Sequence, residues 1–221
     1  CNLKIKKIIS KNFIEGATLI KSNSKLNTLF KIEINEEHSK ITFIENSSLK
    51  YIQDFKFGSN LIISDISKVT GLKIDIVKKI LINSNFLENN LEEFVEKDFF
   101  KDNNYRKISK KLIIEIAKAR IEELLEIILF KNINTNFFLE KKMSVFLKIN
   151  DTLILQKFTD FFELFFSKKD NCSLNIINNE EIEDFYNNAN DIVQFGWKKE
   201  AVPIILEKKS ILARLFSFIF D

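Results

Sequence analysis

Three consecutive segments, "TLFKIEI", "SKITFIE" and "SLKYIQDFKF", run between Thr28 and Phe57 with only short polar joints between them. Each alternates apolar and polar residues with a period of two, the pattern of a half-buried strand. The run reads as a meander of antiparallel strands, ended by Gly58. The period then switches. In "SNLIISDISKVTGL" (Ser59–Leu72), Ile62, Ile66 and Val69 share one helical face and Gly71 is the expected stop.

The remainder alternates between the two periods. "LKIKKIIS" (Leu3–Ser10) has strand character and "FIEGATLIKS" (Phe13–Ser22) reads as a short helix. "DIVKKILINSNF" is another short helix, and "FLENNLEEFVEKDFFKDNNYR" is a polar excursion without an assigned structure. The strongest helix is Ser109–Phe130, with Ile113, Ile116, Ala117, Leu124, Ile127 and Ile128 at helical spacing. A buried strand at Met143–Ile149, a helix at "TDFFELFFSKK", a strand at "CSLNII" and a final helix at "EEIEDFYNNANDIVQFGW" complete the order. Strands alternating with helices argue an α/β domain.

Charge excludes one class of function. With 34 basic and 31 acidic residues the chain carries a net +3, and no basic stripe with interleaved aromatics marks a nucleic-acid binder. The two cysteines, Cys1 and Cys172, give neither a disulfide framework nor metal-ligand spacing, and read as reduced thiols of a cytoplasmic protein. The single His38 cannot anchor a multi-histidine metal site. No apolar run reaches the roughly 18–20 residues needed to cross a bilayer. Lys4, Lys6 and Lys7 interrupt the early apolar stretch, so no signal peptide is read there. A first residue of Cys1 reads as a fragment or a mis-started frame. The 23 Phe against 4 Gly and 1 Pro fit an A/T-rich codon bias, which is the plain explanation for any one missing glycine.

The last residues, "KKSILARLFSFIFD", form an amphipathic pattern. On a helical wheel Ile211, Leu212, Leu215, Phe216, Phe218 and Ile219 make a broad apolar face, with Ser210, Arg214 and Ser217 opposite and Ser210 at the N-cap position. Lys208, Lys209 and Arg214 supply positive charge. Large apolar side chains with basic flanks are the pattern of a helix lying in a membrane interface. The plain alternative is docking on the chain's own domain or on a partner.

Four stretches taken in order resemble the C-terminal half of FtsA, the bacterial actin-like cell-division family: "SLKYIQDFKFGSNLIISDIS", "ISKKLIIEIAKARIEELLEII", "NANDIVQFGW" and the tail. The resemblance covers most of this chain and about the second half of the family's length. It implies an α/β actin-like (ribonuclease H-like) ATPase lobe in 1–72 and 131–197, an inserted helical subdomain in 73–130, a linker in 198–207 and a membrane-targeting amphipathic helix in 208–221. It also locates three nucleotide signatures. The phosphate hairpin falls on "EINEEHSK", where Asn35, Glu36 and Glu37 replace three glycines; the adenosine-contacting helix start falls on "VKKIL", with Lys78 and Leu81; the late glycine turn falls on "KIND", with Lys148, Asn150 and Asp151. Glycines serve there because backbone N–H groups must approach phosphate oxygens without a Cβ in the way. Carboxylates at that place would face a polyanion and repel it. No Gly-x-Gly or Gly-Lys-Ser/Thr word occurs elsewhere. ATP, the family's cofactor, is therefore expected to be lost here.

The resemblance further implies an adaptor that tethers FtsZ polymers to the inner face of the cytoplasmic membrane at the division site. Its partners would be the FtsZ C-terminal peptide, anionic lipid and further copies of itself. The peptide would meet Lys107, Lys111, Lys118 and Arg120 along the strongest helix. No nucleophile–base pair, carboxylate dyad or metal cluster stands out, and Glu122–Glu123 and Glu180–Glu181 read as solvated faces. Two rival classes are an active actin-like ATPase and an actin-like pilus-assembly protein.

Overall fold

Alternation along the first strand sets the two faces of the sheet. The computed structural model describes residues 8–23, 26, 28–46, 48–83, 93–100, 105–135, 142–177 and 182–195. In it β1 is Thr28–Ile34, β2 is Ser39–Glu45 and β3 is Ser48–Phe55. Phe30, Ile32 and Ile34 enter the main core, while Leu29 joins a smaller cluster beneath the opposite face. The three strands pair antiparallel, from Thr28↔Glu45 to Ile34↔Ser39 and from Ser39↔Phe55 to Glu45↔Ser48. The meander read from the sequence is thus present. Asn46 turns the second hairpin at φ 51°, a left-handed conformation that Asn tolerates.

β4 (Met143–Ile149) adds parallel to β1, and β5 (Cys172–Ile176) adds parallel to β4. The order is β3-β2-β1-β4-β5, with β2 antiparallel to its neighbours. This order and polarity is that of the ribonuclease H-like fold, the class to which the expected actin-like lobe belongs. The strand expected over Leu3–Ser10 lies mostly outside the described residues, and 8–10 carry no regular structure.

Helices cover both faces. α2 (Asn60–Thr70), α3 (Ile74–Asn83), α4 (Lys110–Leu125) and α5 (Thr152–Ser167) contribute Ile62, Ile80, Ile121 and Phe158 to the core over Phe30, Ile32 and Leu147. α1 (Lys11–Ser22) lies on the other face, with Leu19 and Ile20 against Leu29, Ile44 and Phe146. α6 (Ile182–Phe195) packs on α1 through Ile192, Ile14 and Ala17. The stretch 73–130, expected as an inserted subdomain, shares the core of the sheet: Ile80, Phe100, Ile113 and Leu124 belong to the same cluster as Phe30. Its described residues are a layer of the lobe.

Helix ends follow local chemistry. Gly71 takes φ 67°, the left-handed cap that stops α2, as expected. Ser109 caps α4 by accepting from the Leu112 N–H at 3.2 Å. The helix expected to run unbroken to Phe130 changes at Glu126 to a π turn, Glu126–Phe130, closed by the Lys131 N–H on the Glu126 carbonyl. The extra residue in that turn rotates the side chains. Ile128 and Leu129 face the core, and Ile127, expected inward, is exposed. Val69, also expected inward, is 62% exposed because the core meets α2 through Ile62, Ile63 and Ile66. The fourth helix of the core layer begins at Thr152, seven residues before the expected "TDFF" start at Thr159.

A buried charge network ties α1 to the sheet. Lys31 is 3% exposed and bonds Glu15 of α1; its ammonium also lies 3.0 Å from Glu33. Burial pushes the Glu33 carboxyl up, but Lys31, then Lys148 and Lys40, outweigh it and hold the carboxyl below its ordinary value.

Candidate functional site

The C-terminal ends of the parallel strands β1 and β4 are where an α/β sheet of this kind presents ligand groups, because the following helix N-termini point there. Three separated stretches meet at that end: the β1–β2 hairpin at 35–38, the start of α2 at Gly58–Asn60, and the β4–α5 junction at Asn150–Asp151. The first and third carry two of the expected nucleotide signatures, and hydrogen bonds join them. The Asn150 amide donates to Asn35 Oδ1 at 2.7 Å, and the Asn150 N–H donates to the Ile34 carbonyl at 2.9 Å.

The hairpin is a tight one. The Asn35 N–H donates to the His38 carbonyl at 2.9 Å, and the Asn35 amide lies 3.0 Å from the His38 ring. Among the described non-glycine residues only Asn46 has positive φ. The turn therefore lacks the alternating right- and left-handed pair that gathers N–H groups into an anion-binding nest. Glu36 and Glu37 are exposed at its tip. The leading amides of α2 bond to the backbone carbonyls of this turn. The Asn35 carbonyl accepts from the Ser59 N–H and the Glu36 carbonyl from the Asn60 N–H, both at 2.9 Å.

Both helix N-termini at this end are thus satisfied from within. α2 has its leading amides on the hairpin, with the Leu61 and Ile62 N–H groups on the Gly58 and Ser59 carbonyls. α5 is capped by Asp151, whose Oδ1 accepts from the Leu153 and Ile154 N–H groups at 3.1 and 3.2 Å. The same carboxylate accepts from the buried Ser59 hydroxyl at 2.6 Å, which locks the two helix starts together. A dianionic group arriving here would have to displace carbonyls and a carboxylate from the amides it needs.

Gly58 makes the arrangement possible. A Cβ at that position would lie 2.1 Å from the Asn35 carbonyl oxygen and 2.7 Å from that of Glu36. Both obstacles are backbone, so the hairpin would have to move. Gly58→Ala should cost about 1–3 kcal/mol by the usual scale of overpacking, read as a lowered urea midpoint with unchanged slope. Wild-type stability would show that the hairpin does not seat there.

The other expected site residues fall elsewhere. Lys148 lies on the sheet face that carries Glu33, its register partner on β1. Leu81 is fully buried in the core, as the apolar side of α3 requires, and cannot touch a ligand; Lys78 is half-buried on the same helix.

The four basic residues of the expected peptide site do not form one surface. Lys107 precedes α4 and lies over the Phe94 ring at 4.3 Å. Lys111 and Lys118 are seven residues apart and share a helix face, whereas Arg120 is rotated by roughly 180° from Lys111 at 3.6 residues per turn. Arg120 bonds Asp65 of α2 and lies 2.8 Å from Glu123, so it joins two helices of the core layer. The membrane-facing residues expected in the tail, Lys208, Lys209, Ile211, Leu212, Arg214, Leu215, Phe216, Phe218 and Ile219, lie outside the described residues. No described helix is long and apolar enough to cross a membrane.

The sequence reading missed Asp151 as a cap and the Lys31 network. Both left signals: an Asp just before the apolar run of "TLILQKF", and opposite charges two apart on an apolar strand.

No family model matches the chain, and no curated protein matches it. Among solved structures it is similar to the ethanolamine utilization protein EutJ from Carboxydothermus hydrogenoformans, at 12% identity over 73% of this chain and 48% of that one, TM-score 0.47. It is similar to the archaeal actin homolog Ta0583 at 14% identity, over 83% of this chain and 55% of that one, TM-score 0.47. It is also similar to MreB5 of Spiroplasma citri bound to ADP at 12% identity, over 86% of this chain and 60% of that one, TM-score 0.46. The chain thus spans between 48% and 60% of the length of these structures. Likeness at this level adds no argument of its own; the fold rests on the sheet order and polarity described above.

Proposed function

We propose that this chain is the lobe of an actin-like adaptor that works by binding and not by nucleotide turnover, joining FtsZ polymers to the inner face of the cytoplasmic membrane. The observation that carries the reading is the closed end of the sheet, where Asn35, Glu36, Ser59 and Asp151 occupy one another's hydrogen-bonding groups. The membrane half of the proposal is supported by the tail sequence alone. The partner half is supported by Lys111 and Lys118, which share a face of α4 and suit an acidic peptide through charge-assisted bonds.

Titration of the intact protein with Mg-ATP should give no saturable heat. Saturable binding at micromolar affinity would overturn the closed-site reading and favour the rival, an active ATPase. For the partner, Lys111→Glu with Lys118→Glu should weaken a labelled FtsZ tail peptide by about tenfold or more, the loss of one charge-assisted hydrogen bond. Arg120→Glu is an unsuitable probe, because it breaks the contact to Asp65.

Vesicle co-sedimentation tests the tail. Phe216→Glu with Phe218→Glu puts two charges into the apolar arc and should reduce pelleting with anionic vesicles to near background. High salt should weaken the wild type only in part, since the apolar contribution is not screened. Pelleting by the double variant would reject the anchor. Unchanged localisation after deletion from Ser210 onward would favour the pilus-assembly class.

A further inference from the structure

α6 carries more apolar surface than its seat on α1 uses. Ile192 packs with Ile14 and Ala17, and the Asn188 amide donates to the Thr18 hydroxyl at 3.0 Å, so this side of the helix faces α1. A second line runs beside it. Tyr186, Ala189 and Val193 lie within an arc of roughly 60° at 3.6 residues per turn. Ala189 is partly buried against the α1 cluster, whereas Tyr186 is 66% exposed and Val193 43% exposed. An apolar line at helical spacing is the kind of surface that receives another helix.

The chain itself holds a helical pattern that matches. In the tail Leu212, Leu215 and Ile219 repeat the same gaps, three residues and then four. Two helices laid parallel bring the gaps into step: Leu212 beside Tyr186, Leu215 beside Ala189, and Ile219 beside Val193. Laid antiparallel, a gap of three opposes a gap of four and the match is lost. Charge favours the same direction. The parallel arrangement sets Lys208 and Lys209 at the end of α6 that holds Glu183 and Asp184, whereas the antiparallel one sets Asp221 there. The connection is long enough. Residues 196–207 span up to about 40 Å when extended, and a return along the 14 residues of α6 needs about 21 Å.

We propose that the line Tyr186–Ala189–Val193 of α6 is a seat for the chain's own tail, 210–219, which leaves it for lipid. Leu212, Leu215 and Ile219 serve both surfaces, so seat and membrane exclude each other. A tail held in this way keeps its apolar arc from indiscriminate association until a membrane competes for it. The release rests on the membrane reading of the tail; the seat itself does not.

Cross-linking in the intact chain tests the seat, with Cys1→Ser and Cys172→Ser as background. Under oxidation, Tyr186→Cys with Leu212→Cys should give a disulfide within one chain, and Tyr186→Cys with Ile219→Cys should not. Vesicles of phosphatidylglycerol and phosphatidylethanolamine should suppress the bond. Vesicle binding tests the release. Apparent affinity falls with the fraction of tail that is free, so a tail seated about nine-tenths of the time binds about tenfold more weakly than a free one. Tyr186→Asp with Val193→Asp empties the seat and should raise vesicle binding by about that factor. The added carboxylates repel anionic lipid, so a gain cannot come from general charge. Adding Phe216→Glu and Phe218→Glu should abolish the gain, which separates a released tail from an unfolded domain. Absence of the Tyr186–Leu212 cross-link, or its formation only between chains, overturns the seat whatever the tail does with lipid. So does a Tyr186/Val193 double variant that binds vesicles no more tightly than a wild type that binds them. A cross-link without vesicle binding in any variant supports the seat and overturns the membrane reading.

Discussion

Replacing Lys31 by methionine should destabilise the chain by about 3–5 kcal/mol, the usual cost of removing one partner from a buried ion pair. Lys31 is 3% exposed, with Glu15 from α1 and Glu33 from its own strand on its ammonium, and their side chains are 15% and 14% exposed. Methionine fills the volume but leaves two carboxylates facing each other under α1. The pH dependence identifies the cause. In the wild type the Glu33 pKa lies below its ordinary 4.5. Its contribution is therefore present above that value and is lost as pH falls through the lower folded value. In the variant, burial and Glu15 act on Glu33 without Lys31 to oppose them. The deficit should then be largest near neutral pH and shrink as the medium is acidified, because protonation removes the repulsion. Adding Glu15→Gln and Glu33→Gln to Lys31→Met should recover much of the loss, as a neutral set has no stranded charge. Urea unfolding at two pH values measures all of this, and a deficit that does not change with pH would mean that lost packing, not charge, is responsible.

Asp151→Ala should cost about 2–4 kcal/mol, the sum of a lost N-cap and a buried hydroxyl left without its acceptor. The carboxylate caps α5 with one oxygen and holds the Ser59 hydroxyl with the other. Asp151→Asn keeps an oxygen for the cap and should lose less than half as much. Ser59→Ala in the Asp151→Ala background should cost little further, because the two residues share one bond and their effects do not add. If the two single losses add in full, Ser59 and Asp151 are not coupled, and the closure of this end of the sheet fails with them.

The hairpin and the β4–α5 turn were both singled out in the sequence, but the hydrogen bonds that join them to α2 were not legible there. Asn35 and Asn150 were singled out in two of the expected nucleotide signatures, and a side-chain hydrogen bond from Asn150 to Asn35 joins them. The loss of glycine was read as charge facing a phosphate. The structure instead spends the hairpin carbonyls on the amides of Ser59 and Asn60. Arg120 was read as a partner contact because it is one of only three arginines, yet its partner is Asp65, 55 residues earlier in the chain. Ile127 was read as core from a helical period that a π turn interrupts.

By itself the sequence determined the strands of the meander, the existence and order of the α-helices α2 to α6 after it, and the stop at Gly71. Each of these is set by residues within a few positions of one another: a period of two or of 3.6, or one glycine free to take positive φ. Only the tertiary structure decided which strands are neighbours and which polar groups satisfy each other. β1 lies between β2, which ends at Glu45, and β4, which begins only at Met143, and Ser59 finds its acceptor 92 residues away at Asp151. A buried N–H, hydroxyl or ammonium takes whichever acceptor the packed core brings within reach, and periodicity along the chain carries no record of that choice.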